Sequence, residues 1–304
     1  MTSVKPAGKS ATALVSVVSN SLLIVLKLVA GVLTGSIAIL TEAIHSGIDL
    51  LASLIALFSV RKADEPADAD HTYGHEKAEN VAAGAEAMLI LLGASIVVLE
   101  ATRRLFEGAE INRLGLGIAV IGVSIVVNLG VSTFVGRRAE LHDSPALEAD
   151  AAHLRADALT SIAVLVGLIL VEVTGSAEWD SIAALTVAAA IVHTGVRLAM
   201  RSGRVLMDEA PPAAELDEIE RAIASARPTQ MAGYHKLRAR RAGARRHVDL
   251  HVQFRSGTSL EEAHRLAHAL RGAIEAAVPN ADVLIHVEPE GSYRKSLEGP
   301  LRHG

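Results

Sequence analysis

Six apolar stretches follow one another before position 200, at about 12–33, 37–60, 81–101, 113–136, 150–172 and 180–199. Each is close to the roughly 20 residues that a helix needs to cross the hydrocarbon core of a bilayer. Backbone groups in lipid must be satisfied internally, so such stretches fold as helices. Half of the chain is hydrophobic but only 3% is aromatic. The apolar mass is therefore small and aliphatic, which suits close helix packing in a membrane. The expected fold is a membrane all-α bundle of six transmembrane helices over residues 1–204. Two lysines precede the first stretch, as in a signal peptide. No small-residue cleavage site follows, and the apolar run continues to about Gly35, so it reads as a retained span. The first two spans form a hairpin about that glycine.

The basic residues orient the bundle. Lys5 and Lys9 precede the first span, Arg61, Lys62 and Lys77 lie between the second and third, and Arg137 and Arg138 follow the fourth. Arg197, Arg201 and Arg204 close the sixth. The turn at Gly35 has no Lys or Arg, and the turn at 172–180 is acidic. Both termini are therefore expected on the cytoplasmic side of a bacterial-type inner membrane. Arg103, Arg104 and Arg113 are the exception, offset by Glu107 and Glu110.

The composition changes after Arg204. Residues 205–213, with two prolines, read as a linker, and 214–290 as a cytoplasmic α+β domain with metal ligands. Residues 291–304 read as a disordered tail. In 247–254, Val248, Leu250, Val252 and Phe254 alternate with His247, Asp249, His251 and Gln253, which is the period of a half-buried strand. Two further strands are expected at 234–241 and 282–287. Ser259 and Glu262 have the spacing of a capping box for a helix over 260–277. With the amphipathic helix after the linker, the order is α-β-β-α-β, a ferredoxin-like layer of helices on one sheet face.

A net charge of −5 with no basic block argues against nucleic acid as a partner. The chain has no cysteine, so any metal must be held by His, Asp or Glu. An ionisable group at mid-membrane costs roughly 2.5–3.5 kcal/mol on insertion scales. Four of them recur as a pattern: His45 and Asp49 in the second span, and His153 and Asp157 in the fifth. Each pair is spaced i, i+4 and so projects from one helix face. Two imidazoles and two carboxylates brought to one point make a four-ligand set suited to Zn2+. Two ionised Asp with neutral His would balance its charge. Either pair alone could equally be a helix–helix hydrogen bond. Asn20 and Asn128 read as interhelical hydrogen bonds, and Glu86 as lying near the wet inner end of the third span.

Two more groups are candidates. The loop 66–79 holds Asp68, His71 and His75, enough for an open metal site or for an ordinary solvated loop. Residues 235–286 carry six of the thirteen histidines: His235, His247, His251, His264, His268 and His286. His286 shares a strand face with Glu288, two residues on.

The segments TEAIHSGIDLLAS, GHEKAEN, HLRADALTS and LMDEAP, in this order on six spans with a soluble tail, resemble the cation diffusion facilitator family. The resemblance implies a homodimer that exports Zn2+, or Cd2+, Fe2+, Co2+ or Mn2+, in exchange for protons. It implies a transport site at His45, Asp49, His153 and Asp157 and a loop site at Asp68, His71 and His75. It implies a cytoplasmic site at His235, His251, His264, His286 and Glu288, where Asp is common in the family at the last position. Such a protein is a secondary transporter, not an enzyme. A non-transporting metal sensor or scaffold is the alternative. A membrane metallohydrolase would need an open coordination position and a general base, and the chain has no HExxH.

Overall fold

The computed structural model describes residues 7–34, 37–107, 115–174, 176 and 178–291. Six long helices come first: α1 (Ala7–Thr34), α2 (Ile37–Ala63), α3 (Lys77–Glu107), α4 (Gly115–His142), α5 (Pro145–Thr174) and α6 (Glu178–Leu206). Among the described residues, five of them are long and apolar enough to cross a membrane: α1 and α3 to α6. The turn expected at Gly35, the connection holding Arg113 and the end of the tail from 292 lie outside the described residues.

The helices outrun the apolar stretches, because hydropathy marks the part that suits lipid and a helix continues while its backbone bonds are made. Most of the polar segment expected to link the fourth and fifth spans is accordingly helical. Only Asp143 and Ser144 break it. Asp143 takes a left-handed φ of 49°, and the Ser144 hydroxyl accepts the Leu147 amide at 3.4 Å, with Pro145 opening α5. Serine at the cap and proline at the first helical position is a favoured helix start.

The bundle is apolar outside and polar inside. Leu22, Val32, Leu99, Val126 and Ile169 are more than half exposed, while Ser16, Asn20, Asp49, Ser53, Glu86, Asp150 and His153 are buried. This is the distribution that lipid demands and water opposes. Small residues let the helices close. A Cβ on Gly195 of α6 would stand 2.9 Å from the Leu91 side chain of α3, so only glycine fits that crossing without a shift.

Residues 207–304 form a second compact unit. It contains α7 (Ala213–Ser225), β1 (Met231–Ala242), β2 (Arg245–Phe254), α8 (Leu260–Ala277) and β3 (Ala281–Pro289). The sheet order is β1-β2-β3, with β1 antiparallel and β3 parallel to β2. Val248, Leu250, Val252 and Phe254 pack with Ile219 and Ile223 of α7 and with Leu270 and Ile274 of α8. Both helices therefore cover one face, and the alternation leaves His235, His251, His286 and Glu288 on the other. Ser259 caps α8 by accepting the Glu262 amide at 3.2 Å. The Glu262 carboxylate does not complete a reciprocal box; it accepts from Gln230 Nε2 at 3.0 Å.

Candidate metal centres

The first centre lies inside the bundle. Nε2 of His153 is 3.4 Å from Oδ1 of Asp49 and 3.8 Å from Oδ2 of Asp157. One donor atom from each of the three lies within 4.8 Å of the others. Ligands about 2.0–2.1 Å from a tetrahedral ion stand about 3.3 Å apart, so a small contraction would close the set on one cation. Both ring nitrogens of His153 are buried without a hydrogen-bond partner among the described residues. Buried polar groups left in that condition are rare and point to a missing ligand. His45 lies on α2 one turn before Asp49; its side chain is outside the described residues.

A polar shell that the motif does not contain supports Asp49. Asn20 Nδ2 donates to the Asp49 carbonyl at 3.3 Å and to Ser53 Oγ at 2.8 Å. Ser53 and Ser16 each donate to Asp150 Oδ1 at 3.0 Å. Asp150 escaped the sequence reading because it sits where hydropathy places the start of a span. Its position three residues before His153, hence on the same helix face, was the available signal.

The loop after α2 forms the second centre. Oδ1 of Asp68 accepts the backbone amides of His71 (2.6 Å) and Asp70 (3.0 Å), an Asx turn. Oδ2 lies 3.2 Å from Nε2 of His75, and the two imidazoles stand 4.5 Å apart. Gly74, with φ of 93°, makes this fold possible, since a side chain there is strained and its Cβ would strike the Glu76 carboxylate. The His71 amide, followed by the other hydrogen bonds, holds the Asp68 carboxyl below the usual carboxylate range against a smaller desolvation effect. It stays ionised and ready to ligate.

In the third centre, pairing His235 with His251 on β1 and β2, and His251 with His286 on β2 and β3, places three imidazoles in a row across the sheet. A bulge after His235, where Lys236 has φ of 53°, shifts the β1 register immediately beyond it. Glu288 reaches over the row. Its Oε1 contacts Nδ1 of His251 at 2.6 Å and Nε2 of His286 at 3.7 Å, and its Oε2 lies 3.4 Å from Nε2 of His235. The longer Glu arm thus still meets its neighbours. His235, His251 and Glu288 offer donors within 4.8 Å, an N/N/O set that fits Zn2+. His264 does not join them. It is exposed on α8, which packs on the opposite face of the sheet, where its ring lies 4.5 Å from His268.

Glu86 departs from expectation. It is 0% exposed, because Ala82, Ala83, Gly84 and Ala87 let neighbouring helices close around it.

The chain matches the cation efflux transmembrane domain over residues 13–207 and the cation efflux protein cytoplasmic domain over 211–290. It belongs to the cation diffusion facilitator family. It is 35% identical over 286 residues to cation-efflux pumps FieF of Yersinia pestis and Yersinia pseudotuberculosis, covering 94% of this chain and 93% of each relative. The Zn form of CzrB, a solved chain, is 36% identical and is 99% covered by 29% of this chain, with a TM-score of 0.27. The metal-bound C-terminal domain of CzcD from Thermotoga maritima is 26% identical over 28% of this chain, with full coverage of that domain and a TM-score of 0.25. The family consists of cation efflux transporters rather than enzymes. This member is a multi-pass membrane protein with a small domain of the family's dimerising type.

Proposed function

We propose that this chain exports Zn2+ from the cytosol in exchange for protons by alternating access. The observation that carries the reading is the convergence of Asp49, His153 and Asp157 in the bundle interior. His45, one turn from Asp49, supplies the fourth ligand. From the inside, neutral His and ionised Asp capture the cation. Facing out, protons compete for the same atoms and release it. Ligands that gain protons as they lose metal let an inward proton gradient drive export. Rocking of helix groups about a site near the midplane exposes it to each side in turn.

In this reading α1 to α6 all span the inner membrane, both termini are cytoplasmic, and two chains form a homodimer. The domain bounds are 1–204, a linker at 205–213 and 214–290, the last an α-β-β-α-β, ferredoxin-like layer. Asp68, His71 and His75 hold a cytosolic ion at the loop. His235, His251, His286 and Glu288 would hold regulatory Zn2+, which shifts the conformational equilibrium only by binding one tail geometry better than another. Metal uptake into inverted vesicles under an imposed pH gradient tests the reading. Uptake that survives Asp157→Ala would reject the site, and uptake indifferent to collapse of the gradient would reject antiport. Tail binding without any flux would favour the sensor.

A further inference from the structure

The transport reading uses the ligand cluster but leaves two other buried acids without a task. Glu86 on α3 is 0% exposed, and neither of its carboxylate oxygens has a hydrogen-bond partner among the described residues. Asp150 on α5 is also 0% exposed; its Oδ1 accepts from Ser16 and Ser53, while its Oδ2 is bare. Helices α2, α5 and α6 pack against α3. Ala83 and Ala87 of α3 share a buried cluster with Ala149 of α5, so Glu86 and Asp150 lie at one helix crossing.

An ionised carboxylate with no donor, no cation and a negative neighbour is not sustainable in a low-dielectric interior. Glu86, which has no donor among the described residues, therefore holds a proton. The serine hydroxyls favour charge on Asp150, which leaves the proton on Glu86. The pair also lies to one side of the ligand cluster. Asp150 precedes His153 by about one turn, toward the start of α5. Glu79, at the start of α3, accepts from Ser144 there, so that end of the bundle lies about two helical turns from Glu86. Ser53 and Asn20 link Asp150 to the Asp49 backbone.

We propose that Glu86 is a second proton-exchanging residue of the transporter, coupled to the cation site through Asp150. With the site empty, Glu86 is a neutral acid. A divalent cation arriving about one turn beyond Asp150 stabilises the carboxylate, and the O–H bond of Glu86 breaks. Its proton passes to water at the end of the bundle formed by the α3 start and the α4–α5 junction. When the cation leaves, Glu86 regains one proton from the side to which the emptied site is open. The coupling is reciprocal: a proton on Glu86 weakens cation binding as much as the cation weakens proton binding. This assignment rests on the antiport reading for its use in transport, but its chemistry is measurable without flux.

The test is proton release on adding Zn2+ to the purified full-length protein in weakly buffered detergent. Glu86→Gln, which keeps the shape and cannot titrate, is expected to release about one proton fewer per chain than wild type. Glu86→Asp is expected to restore the loss. The infrared carbonyl band of a protonated carboxyl should be present in the metal-free wild type, shrink on adding Zn2+ and be smaller in Glu86→Gln. Equal release by Glu86→Gln and wild type would overturn the proposal. So would a wild-type spectrum without that band, which needs no variant to fold. If wild-type vesicles instead take up metal regardless of the pH gradient, antiport fails while the release measurement still decides Glu86.

Discussion

Nε2 of His153 on α5 lies 3.4 Å from Oδ1 of Asp49 on α2, and neither atom makes a hydrogen bond among the described residues. Two buried polar groups brought this close without bonding are held by the helices around them. The shell that aims Asp49 should then matter nearly as much as the ligands. Asp157→Ala is expected to abolish metal uptake into vesicles. Asn20→Ala, which removes the donor to the Asp49 carbonyl and to Ser53, should weaken binding by about 10-fold or more, the usual cost of a lost supporting contact. Direct titration of the purified protein with Zn2+ separates the two effects.

The sequence carried the convergence of Asp49, His153 and Asp157 because the i, i+4 spacing is a one-dimensional record of a helix face. It carried the strands of the tail for the same reason: alternation through Val248, Leu250 and Val252 sorts His251 onto the opposite face. It did not carry the shell. Asp150 and Lys9 sit in stretches that read as flanks, and only the packing of α1, α2, α3 and α5 shows them to be interior. Nor did it carry the position of His264 on α8 relative to the sheet. Six tail histidines suggest one cluster, but whether a helix lies above or below the sheet is decided by the crossover from β2 through α8 to β3.

At the loop site Asp68 should remain a ligand through the neutral and mildly acidic range. The folded Asp68 carboxyl is shifted down, so its contribution to loop order is fully present above the unfolded value of about 3.9 and is lost only as pH falls through the lower folded value. Between pH 5 and 8 it therefore stays ionised and able to hold a cation. In a protein carrying Asp157→Ala and Glu288→Ala, adding Asp68→Asn should weaken Zn2+ binding by a similar factor at each pH across this range, read by direct titration. Gly74→Ala, which forces a side chain into φ of 93°, should weaken binding at every pH, about tenfold for a strain of roughly 1–2 kcal/mol.

Lys9 at the start of α1 donates to Oε1 of Glu79 at 2.8 Å, and Ser144 donates to the other carboxylate oxygen. The Glu79 side chain is 1% exposed. Lys9→Met therefore leaves a buried charge without its counter-ion and should destabilise the bundle by about 3 kcal/mol, whereas adding Glu79→Gln should recover much of it. Thermal unfolding of the two variants in detergent reads the difference. Equal loss in both would mean that the ion pair contributes nothing beyond its separate parts.

In the tail, Glu288 bonds His251 at 2.6 Å and approaches His235 at 3.4 Å, so one carboxylate joins donors from all three strands. A metal held there must stabilise the sheet, because it binds the folded tail and not the unfolded one. At a hundredfold excess over its dissociation constant the gain is about 2.7 kcal/mol. Hydrogen exchange of the β2 amides in the full chain should slow on adding Zn2+. Glu288→Ala should abolish the slowing, while Glu288→Asp, with a shorter arm, should keep part of it. Ile274→Ala removes core volume beneath the opposite face, where Ile274 is 0% exposed, and should cost about 2–5 kcal/mol. Because it touches no ligand, the Zn2+ effect should persist on that lower baseline. Loss of the effect in Ile274→Ala and its survival in Glu288→Ala would place the ion elsewhere.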